Sequence, residues 1–410
     1  MKGLLLFFEM HCGDMLPFNQ EKKNCTGCSA CYSACPIHCI EMKKDEEGFL
    51  YPCASDACLH CGLCEVVCPS YQSKTSLFIE QKAMAAISRD DEVWRRSSSG
   101  GAFSEICRLW ADDDTLIVGA AWDELRVRHI GVSGYGAIAP LCKSKYIESD
   151  IEDTFLEIRE ALSRGRKAIF CGCPCQVAGL RSFLRKDYSN LLTIDLICHG
   201  QGSQSVFEEC IKLIGEHLPD KIQSYQFRAK RRYYEEDYIS SITTKNSVYY
   251  VVKDQYMQLF LSQRALRPSC GENCKYRDRR RPGDLTIADF KGLSKVFPDQ
   301  VFQKKNWSTV VCNTAKGEEC FALLRDKMNS RLVSIDQIIK YNPLFAKQTW
   351  FSKDRDMFFH DFVNGRRDAV IKWTLPFRFY KPNLFKIALQ HLPLWMKEIA
   401  YKCFNHIRVG

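Results

Sequence analysis

No stretch of the 410 residues approaches the ~20 consecutive apolar residues that a membrane-spanning helix requires, so a helical anchor is not expected. A secretory leader is missing from the reading as well. In the opening Met1–Cys12 only about six apolar residues run together before Glu9 interrupts them, and no small-residue cleavage site follows. Met15 serves equally well as a first residue. Nothing resembles a module that reads RNA or DNA, so nucleic acid is not an expected partner. These absences change the meaning of what is abundant, the 23 cysteines. In a chain that stays in a reducing compartment they point to metal ligation rather than to a disulfide scaffold. The expected location is cytoplasmic, at most peripheral to a membrane.

Eight of those cysteines form two runs of identical spacing: Cys25, Cys28, Cys31, Cys35–Pro36 and Cys58, Cys61, Cys64, Cys68–Pro69. Each reads C-x2-C-x2-C-x3-C-P, the pattern with which bacterial ferredoxins hold two [4Fe–4S] clusters. Three closely spaced thiolates wrap one corner of a cubane, while the fourth lies too far along the chain and ligates the other cluster. The proline after it turns the backbone away. Cluster one is then expected on Cys25, Cys28, Cys31 and Cys68, and cluster two on Cys58, Cys61, Cys64 and Cys35. The competing readings, paired zinc knuckles or a disulfide framework, give no reason for a quartet ending in Cys-Pro twice over. Cys39 and Cys53 fall outside both quartets and read as small buried hydrophobes.

Three regions follow from the pattern. Residues 20–75 form an α+β ferredoxin-like domain too small to be robust without its clusters. Residues 82–295 alternate short β-rich runs with amphipathic helices, which predicts an α/β domain with a mostly parallel mixed sheet. A hairpin over 238–252, turning near Lys245–Asn246, adds antiparallel pairing. Residues 296–410 read as a mainly helical, basic C-terminal region. From Tyr341 onward it holds 12 Lys+Arg against 5 Asp+Glu, with Trp373, Phe377, Phe379, Tyr380, Phe385, Trp395, Tyr401 and Phe404. Such a tail either lies on an anionic membrane or an acidic partner, or closes the fold with a solvated basic face.

Two loops in the α/β region follow predicted strands: Cys171-Gly172-Cys173-Pro174-Cys175-Gln176 and Cys198-His199-Gly200. Loops at the carboxyl ends of strands converge on the ligand crevice of an open α/β sheet. With Cys270 and Cys274 of a later segment, Cys175 and Cys198 make a dispersed four-thiolate set suited to a third cluster. From spacing alone, buried free thiols or a structural zinc fit as well. The small-residue turn Ser97-Ser98-Ser99-Gly100-Gly101 runs into a helix, where backbone amides can approach a phosphate; a simple N-cap explains it equally. Lys143 and Lys145 either neutralise a bound anion there or are merely solvated.

These segments occur in a familiar order. The ferredoxin runs, SSSGGAFS (97–104), SKY (144–146), PCQVAGL (174–180), DLICHG (195–200), RPSC (267–270) and DLTIADF (284–290) resemble the beta subunits of coenzyme F-420 (deazaflavin) hydrogenases and dehydrogenases, and the related 7-hydroxymethyl chlorophyll a reductase. The resemblance implies bound FAD and a third [4Fe–4S] cluster near it on Cys175, Cys198, Cys270 and Cys274. It makes Ser98, Ser99, Gly100, Gly101 and Lys145 flavin-binding residues and puts His199 in the flavin's surroundings. Cys173 stands where relatives carry Thr and competes as a ligand. The Cys270–Cys274 gap is one residue longer than theirs, and Phe227–Arg232 lacks their Asp-Lys-Lys-Gly-Trp character, which puts a deazaflavin substrate in question.

The chain thus reads as an iron–sulfur flavoprotein oxidoreductase acting on an organic substrate, with a redox partner protein or small electron carrier. Several relatives accompany surface-polysaccharide genes, which suggests a cell-envelope precursor. The alternative is a non-catalytic electron-transfer subunit that docks a dehydrogenase or hydrogenase through exposed basic groups such as Arg279, Arg280 and Arg281.

Overall fold

The computed structural model describes residues 16, 21–71, 80–230, 239–271, 274–298, 305–347 and 352–379. The aromatic residues Tyr380, Phe385, Trp395, Tyr401 and Phe404, the Met15 start and the first residue of the predicted hairpin lie outside them. The cysteine-rich N-terminal module is built on an antiparallel pair, β1 (Ile40–Lys44) and β2 (Leu50–Ala54). Short helices Ala30–Ala34 and Leu63–Val66 carry part of each cysteine run.

The central layer is a sheet of eight strands among the described residues. They are β3 (Lys82–Ile87), β4 (Leu116–Asp123), β5 (Arg126–Ser133), β6 (Ala168–Gly172), β7 (Leu191–Leu196), and later β11 (Leu285–Asp289), β12 (Ser308–Cys312) and β13 (Asn329–Val333). A separate four-stranded sheet contains β8 (Ile222–Gln226), β9 (Ser240–Thr244), β10 (Val248–Val252) and β14 (Arg378–Phe379). The spatial order of the large sheet is β13-β3-β12-β11-β7-β6-β4-β5.

Only the middle of this sheet, β11-β7-β6-β4, is parallel; its other four pairings are antiparallel. That corrects the expected mostly parallel sheet. The parallel strands carry unbroken buried runs, Ala168-Ile169-Phe170 and Leu191 to Ile194, because helices cover both their faces. Ile117, Ile169 and Leu192 pack into one core with the helix Ala102–Trp110. Val118, Phe170 and Leu191 pack into the opposite core with Thr154–Ser163 and Pro174–Leu184.

The boundary at 295 also needs correction. β12 and β13 belong to the central sheet, and β12 pairs with β3 and β11 at its heart. Five-residue strands, among segments otherwise helical, leave too short a period for the pattern to register. Part of the aromatic tail is structural: Trp373, Phe377 and Phe379 pack against the core beneath the small sheet. Trp373 Nε1 donates to Asp361 at 2.7 Å. Among the described residues no helix is long and apolar enough to cross a membrane.

Candidate functional site: three cavities in series

The first cavity is enclosed by Cys25, Cys28, Cys31 and Cys68, so the last cysteine of the second run joins the first three of the first run. The donor set suits a cluster. Burial, and then the negative charge of Cys68, push the Cys28 thiol up to about 12; burial and three neighbouring cysteines push Cys31 well above the usual thiol range as well. Thiolates crowded this way are stable only around a strongly positive centre, which iron provides.

Cys35 crosses the other way and packs in one apolar cluster with Cys58 and Cys64. Cys61, on the loop between them, is exposed. Cys39 has a closer role than a spare hydrophobe: its sulfur stands 3.3 Å from that of Cys35. Cys53, in β2, is buried with its thiol toward the Tyr51 carbonyl.

A second cavity of about 80 Å³ is walled by Cys175, Cys198, Cys270 and Cys274. The chain brings them together from three places. Cys175 is the second residue of Pro174–Leu184, whose start is fixed by Pro174 and by Gln176 reaching back to the Cys173 amide at 2.9 Å. Cys198 follows β7, and Cys270 with Cys274 lies on the loop after Arg267. The three-residue gap between the last two does not keep them apart. Gln201 donates its backbone N–H to Cys270 Sγ at 3.2 Å and its side-chain amide to Cys175 Sγ at 3.6 Å. Cys173, the competing ligand, lines the next cavity instead, with its sulfur 3.7 Å from that of Cys198. The hydrogen bond shared with Cys173, followed by the charge of Arg277, the Gly200 backbone and Arg281, draws the Cys198 thiol down to about 7 against the effect of burial.

The third cavity, about 370 Å³, opens between the carboxyl ends of the parallel strands and the Ser97–Ser104 turn. Ser98, Ser99, Gly101, Lys145 and His199 line it. Gly100 does not. It is buried where an added Cβ would lie 2.3 Å from the Ala86 carbonyl, and its N–H donates to Ser308 Oγ at 2.9 Å. Gly100 therefore lets its turn pack against the paired ends of β3 and β12 rather than cradling a ligand, which corrects its assignment. Other expected donors are committed within the protein. Ser99 Oγ donates to the Trp307 carbonyl, and Lys145 Nζ donates to the carbonyls of Ala120, Pro140 and Cys142 at 2.8–2.9 Å. Burial lowers Lys145 to about 8, so it offers the cavity charge rather than a free hydrogen. His199 Nε2 contacts the Phe260 carbonyl at 3.1 Å, and burial lowers the ring to about 4, keeping it neutral.

Three lining residues had no sequence signal. His129 is held between Ser149 Oγ at 2.8 Å and the Cys171 carbonyl at 3.2 Å, and burial lowers it to about 4. The side-chain oxygens of Gln201 and Asn342 are buried with no hydrogen-bond partner among the described residues. Two orphaned acceptors in one cavity suit a heterocycle that presents N–H groups, as a flavin does.

Thr26 and Ser70 line both the first and second cavities, and Cys198, Gly200 and Gln201 line both the second and third. Arg281, grouped by sequence with exposed Arg279 and Arg280, is buried against Asp195 at 2.8 Å and cannot belong to a docking patch.

Residues 24–71 match the model of the 4Fe-4S dicluster domain. Residues 165–337 match the model for the C terminus of the coenzyme F420 hydrogenase/dehydrogenase beta subunit. No curated protein matches the chain. A solved chain from the F420-reducing [NiFe] hydrogenase complex of Methanosarcina barkeri aligns at 15% identity and a TM-score of 0.41, over 72% of this chain and 91% of that one. The dicluster match gives the N-terminal module its [4Fe–4S] clusters and the protein a role in electron transfer. Residues 165–337 thus carry the C-terminal region of the coenzyme F420 hydrogenase/dehydrogenase beta subunit, behind a 4Fe-4S dicluster domain at residues 24–71.

Proposed function

We propose that this protein is an iron–sulfur flavoprotein oxidoreductase. Cluster two, cluster one, a third [4Fe–4S] cluster on Cys175, Cys198, Cys270 and Cys274, and FAD in the large cavity form one electron path. The observation that carries the reading is the sequence of shared walls: each cavity has lining residues in common with the next. Electron transfer needs such contiguity, whereas a set of unrelated structural thiols does not.

FAD, when bound, supplies the exchange between single-electron and hydride chemistry. The chain's own residues position it and control its surroundings. Gln201 and Asn342 accept hydrogen bonds, Lys145 supplies positive charge, and Gly101, with φ +97° at the start of its helix, shapes the turn. Neutral His129 and His199 add no charge near pH 7, so the positive charge at the cavity wall comes from Lys145 with Lys143 and Lys291. The substrate is an organic molecule, with a cell-envelope precursor as the favoured class. The basic aromatic tail gives the protein a way to work beside an anionic membrane in the cytoplasm.

A second reading, an electron-relay subunit for a partner dehydrogenase or hydrogenase, is favoured by the exposed face near Cys61, where Leu59 and Val66 also reach solvent. The test is direct. Purified protein supplied with a chemical reductant reduces a small organic acceptor by itself under the first reading. Under the second it only passes electrons to an added partner, and failure across a broad acceptor screen would establish that role.

A further inference from the structure

Arg267 is the largest fully buried side chain among the described residues, and it does not line the cavity of its neighbour Cys270. It reaches back to the ferredoxin module. Its Nε donates to the Cys25 carbonyl at 2.8 Å, and Nη2 donates to the Leu50 carbonyl at 2.9 Å and to Cys25 Sγ at 3.5 Å. The other prong, Nη1, donates to Glu148 Oε1, itself buried, while Glu148 Oε2 accepts the Leu50 N–H at 2.9 Å. The guanidinium lies 4.1 Å from the Tyr51 ring centre.

A glycine makes room for this contact. Gly27, between Cys25 and Cys28, has φ +65°, and a Cβ there would lie 2.5 Å from Glu148 Oε1 and 2.8 Å from Arg267 Nη1. Burying an arginine and a glutamate costs several kcal/mol of desolvation per ion, and apolar residues of equal volume often serve stability as well. A fold that needed only packing here had no reason to place a fixed charge against a cluster ligand.

We propose that Arg267 sets the reduction potential of cluster one, with Glu148 as its partial counterweight. The inference rests on the ligand set proposed above, Cys25, Cys28, Cys31 and Cys68. Accepting one electron adds one negative charge to the cluster. A cation donating to the ligand sulfur favours that reduced form, and the low dielectric of the interior strengthens the effect. Glu148 opposes it from the far side of the fork. Because the backbone of Arg267 also accepts the Cys270 N–H at 3.0 Å, one residue ties the potential of cluster one to the position of the second thiolate set. Arg267 is a positioning and tuning residue, since it touches a ligand and not the reacting molecule.

The test is a potentiometric titration of the anaerobically reconstituted full chain, followed by the electron paramagnetic resonance of reduced clusters, with iron measured in each sample. Glu148→Gln leaves the cation unopposed and is expected to favour the reduced form of one cluster at least tenfold, which is 59 mV upward for a one-electron couple. The double variant Arg267→Gln/Glu148→Gln removes cation and counterweight together and is expected to move the same cluster at least tenfold the other way. Arg267→Lys, which keeps the charge and loses the fork, falls between wild type and the double variant. If the double variant retains too little iron to titrate, Glu148→Gln and Arg267→Lys decide. Full iron with every potential unchanged, or a downward shift in Glu148→Gln, overturns the role of Arg267. Iron below about 8 per chain in the unmodified protein overturns instead the ligand set on which it rests.

Discussion

Gly179 lies directly against Cys28: a Cβ added to the glycine would stand 2.9 Å from both the Cys28 Cβ and its sulfur. The helix that presents Cys175 to the second cavity thus touches a ligand of cluster one through the same few residues. Gly179→Ala overpacks this contact and is expected to destabilise the protein by ~1–3 kcal/mol. Because the strain falls on Cys28, iron should be lost from the variant more readily than from the wild type on mild chelation. Equal iron retention would show that the two elements can separate without consequence.

Cys175→Ser removes one wall of the second cavity. Each cubane carries ~4 iron, so the iron content is expected to fall from about 12 to about 8 per chain. Flavin should remain bound, since Cys175 does not line the large cavity. Unchanged iron would eliminate the third cluster on this ligand set.

Asp195 is the penultimate residue of β7, three residues before Cys198, and its carboxylate gathers one side of the site. It accepts from Arg281 at 2.8 and 3.2 Å, from the Gly283 N–H at 2.9 Å and from Thr286 Oγ1 at 2.7 Å. Asp195→Asn leaves Arg281 buried without its counter-charge, which is expected to cost ~3–5 kcal/mol. Chemical denaturation of the wild type and variant measures it.

His129 gives the stability a pH dependence of defined sign. Burial holds its folded-state pKa near 4, against 6.5 for the ordinary imidazole. Between these values the unfolded chain takes up a proton that the folded chain does not, so stability falls as pH drops below about 6.5. By pH 5 the loss is ~2 kcal/mol. His129→Asn cannot titrate, and its stability should fall less than that of the wild type between pH 7 and pH 5. Parallel curves would mean that the ring is protonated inside the fold.

Much of this site was legible because its ligands are local in sequence. Cys25 to Cys35 and Cys58 to Cys68 report their chemistry through spacing, since a cubane corner imposes that spacing on any chain. The dispersed set was readable only as far as strand ends could be placed, and there Cys173 and Cys175 were indistinguishable. The structure separates them because the helix starts at Pro174 and turns the two side chains toward different cavities. Gly100 looked like a cofactor turn because a turn pressed against strand backbone demands the same small residue as a close approach to phosphate. Arg281 looked exposed beside Arg279 and Arg280, since its buried partner Asp195 is 86 residues away. β12 and β13 were hidden by their shortness. Gln201 and Asn342 carry no pattern at all, and only their unpartnered oxygens in one cavity reveal them.

The measurement that bears most directly on the central claim is anaerobic purification with iron, sulfide and flavin quantified together. The proposed path of three clusters and one flavin predicts about 12 iron, an equal amount of sulfide and one flavin per chain. A preparation that holds about 8 iron and takes up no flavin after reconstitution would contradict the continuous path from ferredoxin module to flavin, and would leave only the N-terminal pair of clusters.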